Sequence, residues 1–367
     1  MKMRILAIKL KQIGDVLLSE PALRLLKEAY PEAELTVVVN KYTVPMLKHA
    51  PYIDFIFGYD RSLKKLKPYA RLKEEYRFVR QWNKKVYDIV INFSSGDRGA
   101  IYSFLTKAKH KIGIYSQKGL FGKNRIYDAV FSPPPTHTVL QDLWLVTKGL
   151  NLSFRSPQVK LYLSPQALER GRSLLKKAGA NDKDKITCIH PVANWLFKCW
   201  RPDYMAEVIN WLLAQGVKVV LTGGKLKKEI NFLEQILKDV RYPVINLAGQ
   251  LDLETLGAVI AHSDLFLGVD TAPMHMAAAL NKPVIALFGP TGTVTWGPWE
   301  NDLTYTDFTS PYKMKGTQSL GKHTVLQRDW PCVPCGKDGC NGSKISKCLH
   351  DITPEEVISV LRQKLES

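Results

Sequence analysis

Between Ile186 and Phe288, five short apolar runs alternate with four helix-length segments. The runs are Ile186–His190, Val217–Thr222, Val244–Ala248, Leu265–Val269 and Val284–Phe288. Each is too short for a helix and too uniformly apolar for a strand with one wet face, so each reads as a strand buried on both sides of a parallel sheet. The segments between them, Asp203–Ala214, Lys227–Val240, Leu253–Ala261 and Ala272–Leu280, have helical spacing. That order is repeated βαβ, which predicts an α/β fold with helices on both faces of the sheet.

The first half repeats the rhythm less cleanly. Met3–Leu10, Leu35–Val39, Ile53–Phe57 and Val86–Phe93 read as strands. Val16–Tyr30 reads as one amphipathic helix ended before Pro31. At 367 residues the chain exceeds what a single core usually serves, which predicts two domains. The expected division is 1–160 and 161–351, joined near Ser156–Ser164 where Pro157 and Pro165 bracket an extended segment. The closing amphipathic helix, 352–367, is expected to pack back on the first domain. Two doubly wound domains would bring the carboxyl ends of two sheets opposite one another, so chemistry is expected in the cleft between them.

Charge is unevenly shared. Of a net +18, residues 1–166 carry +15, from 28 Lys/Arg against 13 Asp/Glu. A half this basic expects an anionic partner: nucleic acid, an anionic membrane surface, or a phosphorylated or carboxylated substrate. Within it, 61–85 holds ten Lys/Arg against Glu74 and Glu75, interleaved with Tyr69, Tyr76, Phe78 and Trp82. A surface helix after Pro68 follows, either a basic binding face or a charged outer face with its aromatics turned inward. The N-terminus is too short and too charged for a signal peptide, and no apolar run is long enough to cross a bilayer. The expectation is a cytoplasmic protein, soluble or bound peripherally to a membrane.

Four of the six cysteines crowd near the end, at Cys332, Cys335, Cys340 and Cys348. Cys332-Val-Pro-Cys335 resembles half a zinc site, but the second pair is spaced Cys-x7-Cys, so a loop of reduced thiols is the default and zinc the weaker candidate.

The polar residues that carry chemistry fall where strands run into helices. After the first strand stands Lys9-Leu-Lys11-Gln-Ile-Gly14-Asp15. A glycine there admits close approach of a substrate to the backbone. Asp15 fits either a helix cap or a general base that takes a proton from an attacking hydroxyl. After Val269 stands Asp270-Thr271-Ala272-Pro273-Met-His275. Free amides at such a helix start bind phosphate, helped by the helix dipole. Asp270, ahead of that anion site, suits sugar hydroxyls, and His275 shares a helical face with Thr271. After His190, Lys198 is a cation for a leaving diphosphate, with Asn194 and Trp200 beside it in sequence and Arg201 a second cation. Gly223-Gly224 ends another strand, and Glu229 follows as a carboxylate for ribose hydroxyls. No Gly-x-Gly-x-x-Gly fingerprint is present, and no Asp-x-Asp metal clamp is placed for a diphosphate.

Gly14-Asp15-Val-Leu-Leu18, Lys198-Cys-Trp200, Asp270-Thr271-x-x-x-His275 and Phe288-Gly-Pro-Thr291 together resemble the heptosyltransferases of lipopolysaccharide core assembly, glycosyltransferases of the GT-B fold. His137-Thr-Val-Leu-Gln-Asp142 and the late cysteines are most similar to the branch that adds the third heptose. The resemblance implies Asp15 as catalytic base, Lys198 on the donor phosphates, Glu229 on the nucleoside ribose, and Leu251 in the adenine pocket. It places Asp270 on the heptose, with Thr271, the Ala272 backbone and His275 around the diphosphate, and Lys9, Lys11 and Gly14 on the acceptor side. Where Ala193, Asn194 and Ala272 stand, relatives that add the first heptose carry two hydroxyl residues and a glycine, so those donor contacts differ here. The implied reaction is an inverting displacement on ADP-heptose with no obligatory cofactor or metal, at the cytoplasmic face of the inner membrane. Rival readings are a GT-B enzyme with another nucleotide sugar, and a basic nucleic-acid-binding protein that leaves the neutral second half unexplained.

Overall fold

In the computed structural model, which describes residues 2–366, the chain forms two compact α/β units. The first comprises residues 1–162 together with Thr304–Thr309, the second residues 163–303 and 310–367. The first sheet is built from β1 (Arg4–Lys9), β2 (Glu34–Asn40), β3 (Phe55–Tyr59), β4 (Tyr87–Asn92), β5 (Ala108–Ile114) and β6 (Ala129–Phe131). They lie in the order β3-β2-β1-β4-β5-β6, every neighbouring pair parallel. The second sheet has β7 (Ile186–His190), β8 (Lys218–Leu221), β9 (Ile245–Asn246), β10 (Leu265–Val269) and β11 (Val284–Leu287), closed by β12 (Gln318–Leu320) and β13 (His323–Leu326). Its order is β12-β13-β11-β10-β7-β8-β9, parallel except for the β12–β13 hairpin at the edge.

Leaving that hairpin's outer strand aside, both units share one winding: out from the first strand through the second to the third, then back across to the fourth. The direction of winding therefore reverses between β1 and β4, and again between β7 and β10. Connections on either side of such a reversal run to opposite faces, which leaves a crevice at the carboxyl ends of those central strands. The fold is the doubly wound α/β arrangement that the apolar runs imply.

The first unit's helices are α1 (Ile13–Leu18), α2 (Glu20–Ala29), α3 (Pro68–Arg80), α4 (Asp97–Leu105) and α5 (Thr138–Leu150). The expected single helix 16–30 is two. Pro21 has no N–H to donate and sits in the first turn of α2, so the chain breaks at Ser19, whose hydroxyl donates to the Val16 carbonyl at 2.7 Å. The second unit carries α6 (Pro165–Lys177), α7 (Pro202–Ala214), α8 (Lys227–Lys238), α9 (Leu253–Ala261), α10 (Ala272–Ala279), α11 (Thr293–Trp296), α12 (Lys347–His350) and α13 (Pro354–Glu366). The return of Thr304–Thr309 is held by the Tyr305 carbonyl, which accepts from Ser156 N at 3.1 Å, and by Phe308 against Phe154.

The closing helix corrects an expectation. α13 packs in the second unit: its Val357 and Leu361 belong to that unit's core, against Met205, Ile209 and Leu212 of α7. Trp200 fixes the approach, its indole N–H donating to the Ile352 carbonyl at 3.0 Å. An amphipathic helix docks on whichever apolar face is nearest and unsatisfied, and α7 supplies that face.

Candidate active site

In the first unit, β1 ends on Lys9, and the chain turns through Lys11 into α1. The turn is tied down from three sides. Leu10 N donates to Ser94 Oγ at 2.8 Å, Asn40 Nδ2 to the Lys11 carbonyl at 2.7 Å, and Tyr42 Oη to Gln12 Oε1 at 2.8 Å. Gly14 is buried in the first turn, and Asp15 is half-buried beside it. The N-cap of α1 is Gln12, with no side-chain cap bond, so Asp15 is not the cap. Its carboxylate is left for other work.

Behind this turn lies an ion pair that no motif announced. Lys9 Nζ donates to both oxygens of Asp142 on α5, at 2.6 and 2.8 Å, with both side chains out of water. Burial pushes the Asp142 carboxyl up to about 6 against the pull of Lys9, and the charge of Asp15 adds to the upward shift. Asp15 thus stands within electrostatic reach of a buried Lys9–Asp142 unit. The only hint in the sequence is the position of Asp142 in His137-Thr-Val-Leu-Gln-Asp142, where His137 caps α5 by accepting from Val139 N at 3.3 Å.

In the second unit the candidate residues gather at the carboxyl ends of the central strands. β7 ends in His190, whose ring shares a 2.9 Å hydrogen bond with Thr222 Oγ1 beyond β8. Burial holds that imidazole down at about 4, so it is neutral at physiological pH. The chain then runs through an exposed Asn194 to a short 3-10 turn ending on Lys198. Lys198 Nζ donates to Asp270 Oδ2 at 2.6 Å and lies 5.8 Å from the Trp195 ring centre. Asp270 directly follows β10 and is buried. One short ion pair thus bridges the loop after β7 and the end of β10, where the winding reverses.

Thr271 is the N-cap of α10 and Pro273 lies in its first turn, which is tolerated because that turn's N–H groups have no helical partner. Pro273 to Ala279, His275 included, are buried, so α10 is a core helix with its start at the sheet's carboxyl edge. The His275 ring lies 6.4 Å from that of Trp296. Gln327 Nε2 donates to the carbonyls of Gly289 and Thr291 at 3.0 and 2.8 Å, fixing the loop after β11. Ala272 and Leu251 are half-buried. Glu229 is buried at the start of α8, its carboxylate accepting from Leu226 N at 3.3 Å and lying against Gly224. The structure therefore brings Lys198, Asp270, Thr271 and His275 together on adjoining segments and sets Glu229 beyond β8.

The four late cysteines lie near one another: burial, and after it the neighbouring thiols of Cys340, Cys335 and Cys332, push the Cys348 thiol up to about 11. All six thiols are free, Cys332 and Cys335 are exposed, and no group of three or more His, Cys, Asp or Glu among the described residues is placed to hold a metal ion. Arg201, the second cation candidate, is turned to Asp203 and the Tyr204 ring instead.

Comparison with known proteins agrees with this arrangement. Residues 75–322 match the model of glycosyltransferase family 9 (heptosyltransferase). Lipopolysaccharide heptosyltransferase 3 of Escherichia coli is 31% identical over 293 residues, covering 79% of this chain and 84% of that protein. Among solved structures, a family 9 glycosyltransferase from Veillonella parvula superposes with a TM-score of 0.80 at 19% identity, covering 100% of this chain and 98% of that one. The E. coli ADP-heptose lipopolysaccharide heptosyltransferase II gives 0.75 at 20% identity, covering 99% and 98%. These likenesses show the GT-B fold. With its matched family model and a relative of this identity, the chain belongs to glycosyltransferase family 9, the heptosyltransferases, and is a sugar-transferring enzyme.

Proposed function

We propose that this enzyme transfers heptose from ADP-heptose to a heptose of the lipopolysaccharide inner core, with inversion at the anomeric carbon. The observation that carries the reading is the Lys198–Asp270 pair at 2.6 Å beside the start of α10. A cation, a helix start and a buried carboxylate on adjoining segments suit a sugar diphosphate: the first two meet phosphate charge, the third meets sugar hydroxyls. Relatives named as lipopolysaccharide heptosyltransferases, and a fold neighbour named for ADP-heptose, support this donor and this acceptor class.

In the reaction so read, the Asp15 carboxylate takes the proton of the acceptor hydroxyl. That oxygen bonds to the anomeric carbon as the bond from carbon to the diphosphate oxygen breaks. ADP leaves carrying the charge, and Lys198 and the first-turn amides of α10 stabilise it as it develops. Asp270 accepts from Lys198 at Oδ2 and from a heptose hydroxyl at Oδ1. Glu229 and Leu251 take the ribose and adenine. Lys11 and Gly14 lie on the acceptor side, whereas Lys9, the third acceptor-side candidate, is buried against Asp142 and braces the turn from behind. Protein cations meet the leaving charge, so turnover should persist in chelator.

Incubation of a truncated core acceptor with ADP-heptose, followed by mass spectrometry, should show addition of one heptose. No mass gain with any heptose-bearing acceptor would sink the reading. Thermal stabilisation by ADP but not by UDP or GDP tests the donor. Stabilisation by UDP or GDP alone would move the enzyme to another nucleotide sugar.

A further inference from the structure

The most exposed apolar side chains of the first unit lie on three adjoining elements. On α3, Tyr69, Leu72 and Tyr76 recur at three and four residues, hence along one face, and are 81%, 71% and 58% exposed. Phe78 of the same helix is buried, and so is Trp82 just beyond it, so the aromatics of this segment divide between core and solvent. α4 lies alongside: Arg98 pairs with Glu75 at 3.1 Å, and the Tyr102 ring meets those of Phe78 and Trp82. On its outer side α4 exposes Ile101 and Phe104. Asp97, the first residue of α4, then accepts from Leu120 N at 3.0 Å, which seats the loop carrying Leu120 and the fully exposed Phe121 (99%).

An isolated exposed leucine needs no explanation, but a run of large apolar groups over two helices and a loop does. Its charge setting says what covers it. Exposed Lys64, Lys65, Lys67, Lys73 and Arg80 surround α3, and Lys118 precedes the loop. The two acids of the segment are taken by arginines, Glu74 by Arg77 and Glu75 by Arg71 and Arg98. Partial burial and the crowding of Arg98, Arg61 and Arg71 hold the Lys64 ammonium below the usual lysine range, the sign of a surface dense in positive charge. Apolar rings and leucines ringed by lysines are the chemistry of a face that lies in the headgroup layer of an anionic bilayer.

We propose that α3, the outer side of α4 and the 118–121 loop form the face by which this enzyme docks on an anionic phospholipid bilayer. The tyrosines, leucines and phenylalanines enter the headgroup layer, and the lysines bind lipid phosphates. This deepens the reading above, whose acceptor is a membrane lipid, by naming the surface that meets the membrane.

The test is co-sedimentation of the full chain with vesicles of phosphatidylcholine alone or mixed with phosphatidylglycerol. Sedimentation is expected with the mixed vesicles and is expected to fall with added salt. Leu120→Ser with Phe121→Ser, and separately Lys64→Glu with Lys65→Glu and Lys67→Glu, should each weaken it by about tenfold or more. Both variants should keep the wild-type melting temperature and full turnover on a water-soluble truncated acceptor. Failure of the wild type to sediment, or variants that sediment as it does, overturns the proposal. So does a dimer in solution that Phe121→Ser dissolves, since the face then belongs to a second copy. Loss of vesicle binding with turnover intact removes the docking face alone. Sedimentation without any heptose transfer removes the transfer reading alone.

Discussion

Lys9 and Asp142 face each other at 2.6 Å, the last residue of the first strand against the first helical turns of α5, with 4% and 3% of their side chains exposed. Two ions taken this far out of water stabilise each other only while both are present; removing one leaves the other charge buried and alone. Asp142→Ala should therefore lower unfolding free energy by about 3–5 kcal/mol, and joint replacement by Lys9→Met with Asp142→Leu should recover much of it. Urea unfolding of the three proteins reads both outcomes. A loss under about 1 kcal/mol in Asp142→Ala would mean the pair is hydrated in solution.

Asp15, seated in front of that pair, is the base in the proposed reaction. Asp15→Asn keeps the size of the side chain and removes the proton acceptor. Turnover should fall by roughly 10²–10⁴-fold with ADP affinity near that of the wild type. Near-normal turnover would take Asp15 out of the mechanism.

Lys198→Ala removes the cation assigned to the leaving diphosphate. The expected result is a fall of roughly 10²–10³-fold in kcat together with weaker binding of ADP, read by calorimetry. Asp270→Asn should leave ADP binding less affected, because the carboxylate is assigned to the sugar. A variant of Lys198 that binds ADP normally and turns over normally would reassign the phosphate contact.

His190 and His323 make the second unit acid-sensitive. Burial holds their imidazoles down at about 4 and about 3, against 6.5 for the free ring. Both values are depressed, so the unfolded chain binds protons that the folded one refuses as pH falls below about 6.5. The stability is present in full above that value and is lost progressively towards the folded values. Denaturation midpoints should drop steadily from about pH 7 to about pH 5, and His190→Asn should reduce the proton uptake on unfolding by about one. A wild-type midpoint that is flat over this range would show that both rings charge in the folded state.

Legibility in the sequence followed the physics of each element. Ile186–His190 and Leu265–Val269 have the same limits by pattern and in three dimensions, because a strand buried on both faces is apolar throughout and its flanking turns are not. β5 went unread: three of the first four residues of Ala-Lys-His-Lys-Ile-Gly-Ile are lysine or histidine, and it lies one strand from the sheet edge with only Ile112 and Gly113 buried. Pro21 carried the break between α1 and α2, but the flanking leucines keep helical spacing across it and conceal the interruption. In the site, Asp270, Thr271 and Lys198 were legible as residue types after strands, whereas Lys9 and Asp142 are 133 positions apart and no periodicity joins them. The amphipathic pattern of α13 told that it packs and not where, since the partner face is set by Trp200 and α7.

The segment Thr304–Thr309 returns to the first unit after the second unit's central strands have been laid down. During synthesis, therefore, the first unit lacks its last piece until residues 304–309 have emerged, after β7 to β11 of the second unit. Cutting the chain at the apparent joint would not yield a complete amino-terminal half. The unit that carries Asp15 is finished only by residues encoded after those that carry Lys198 and Asp270.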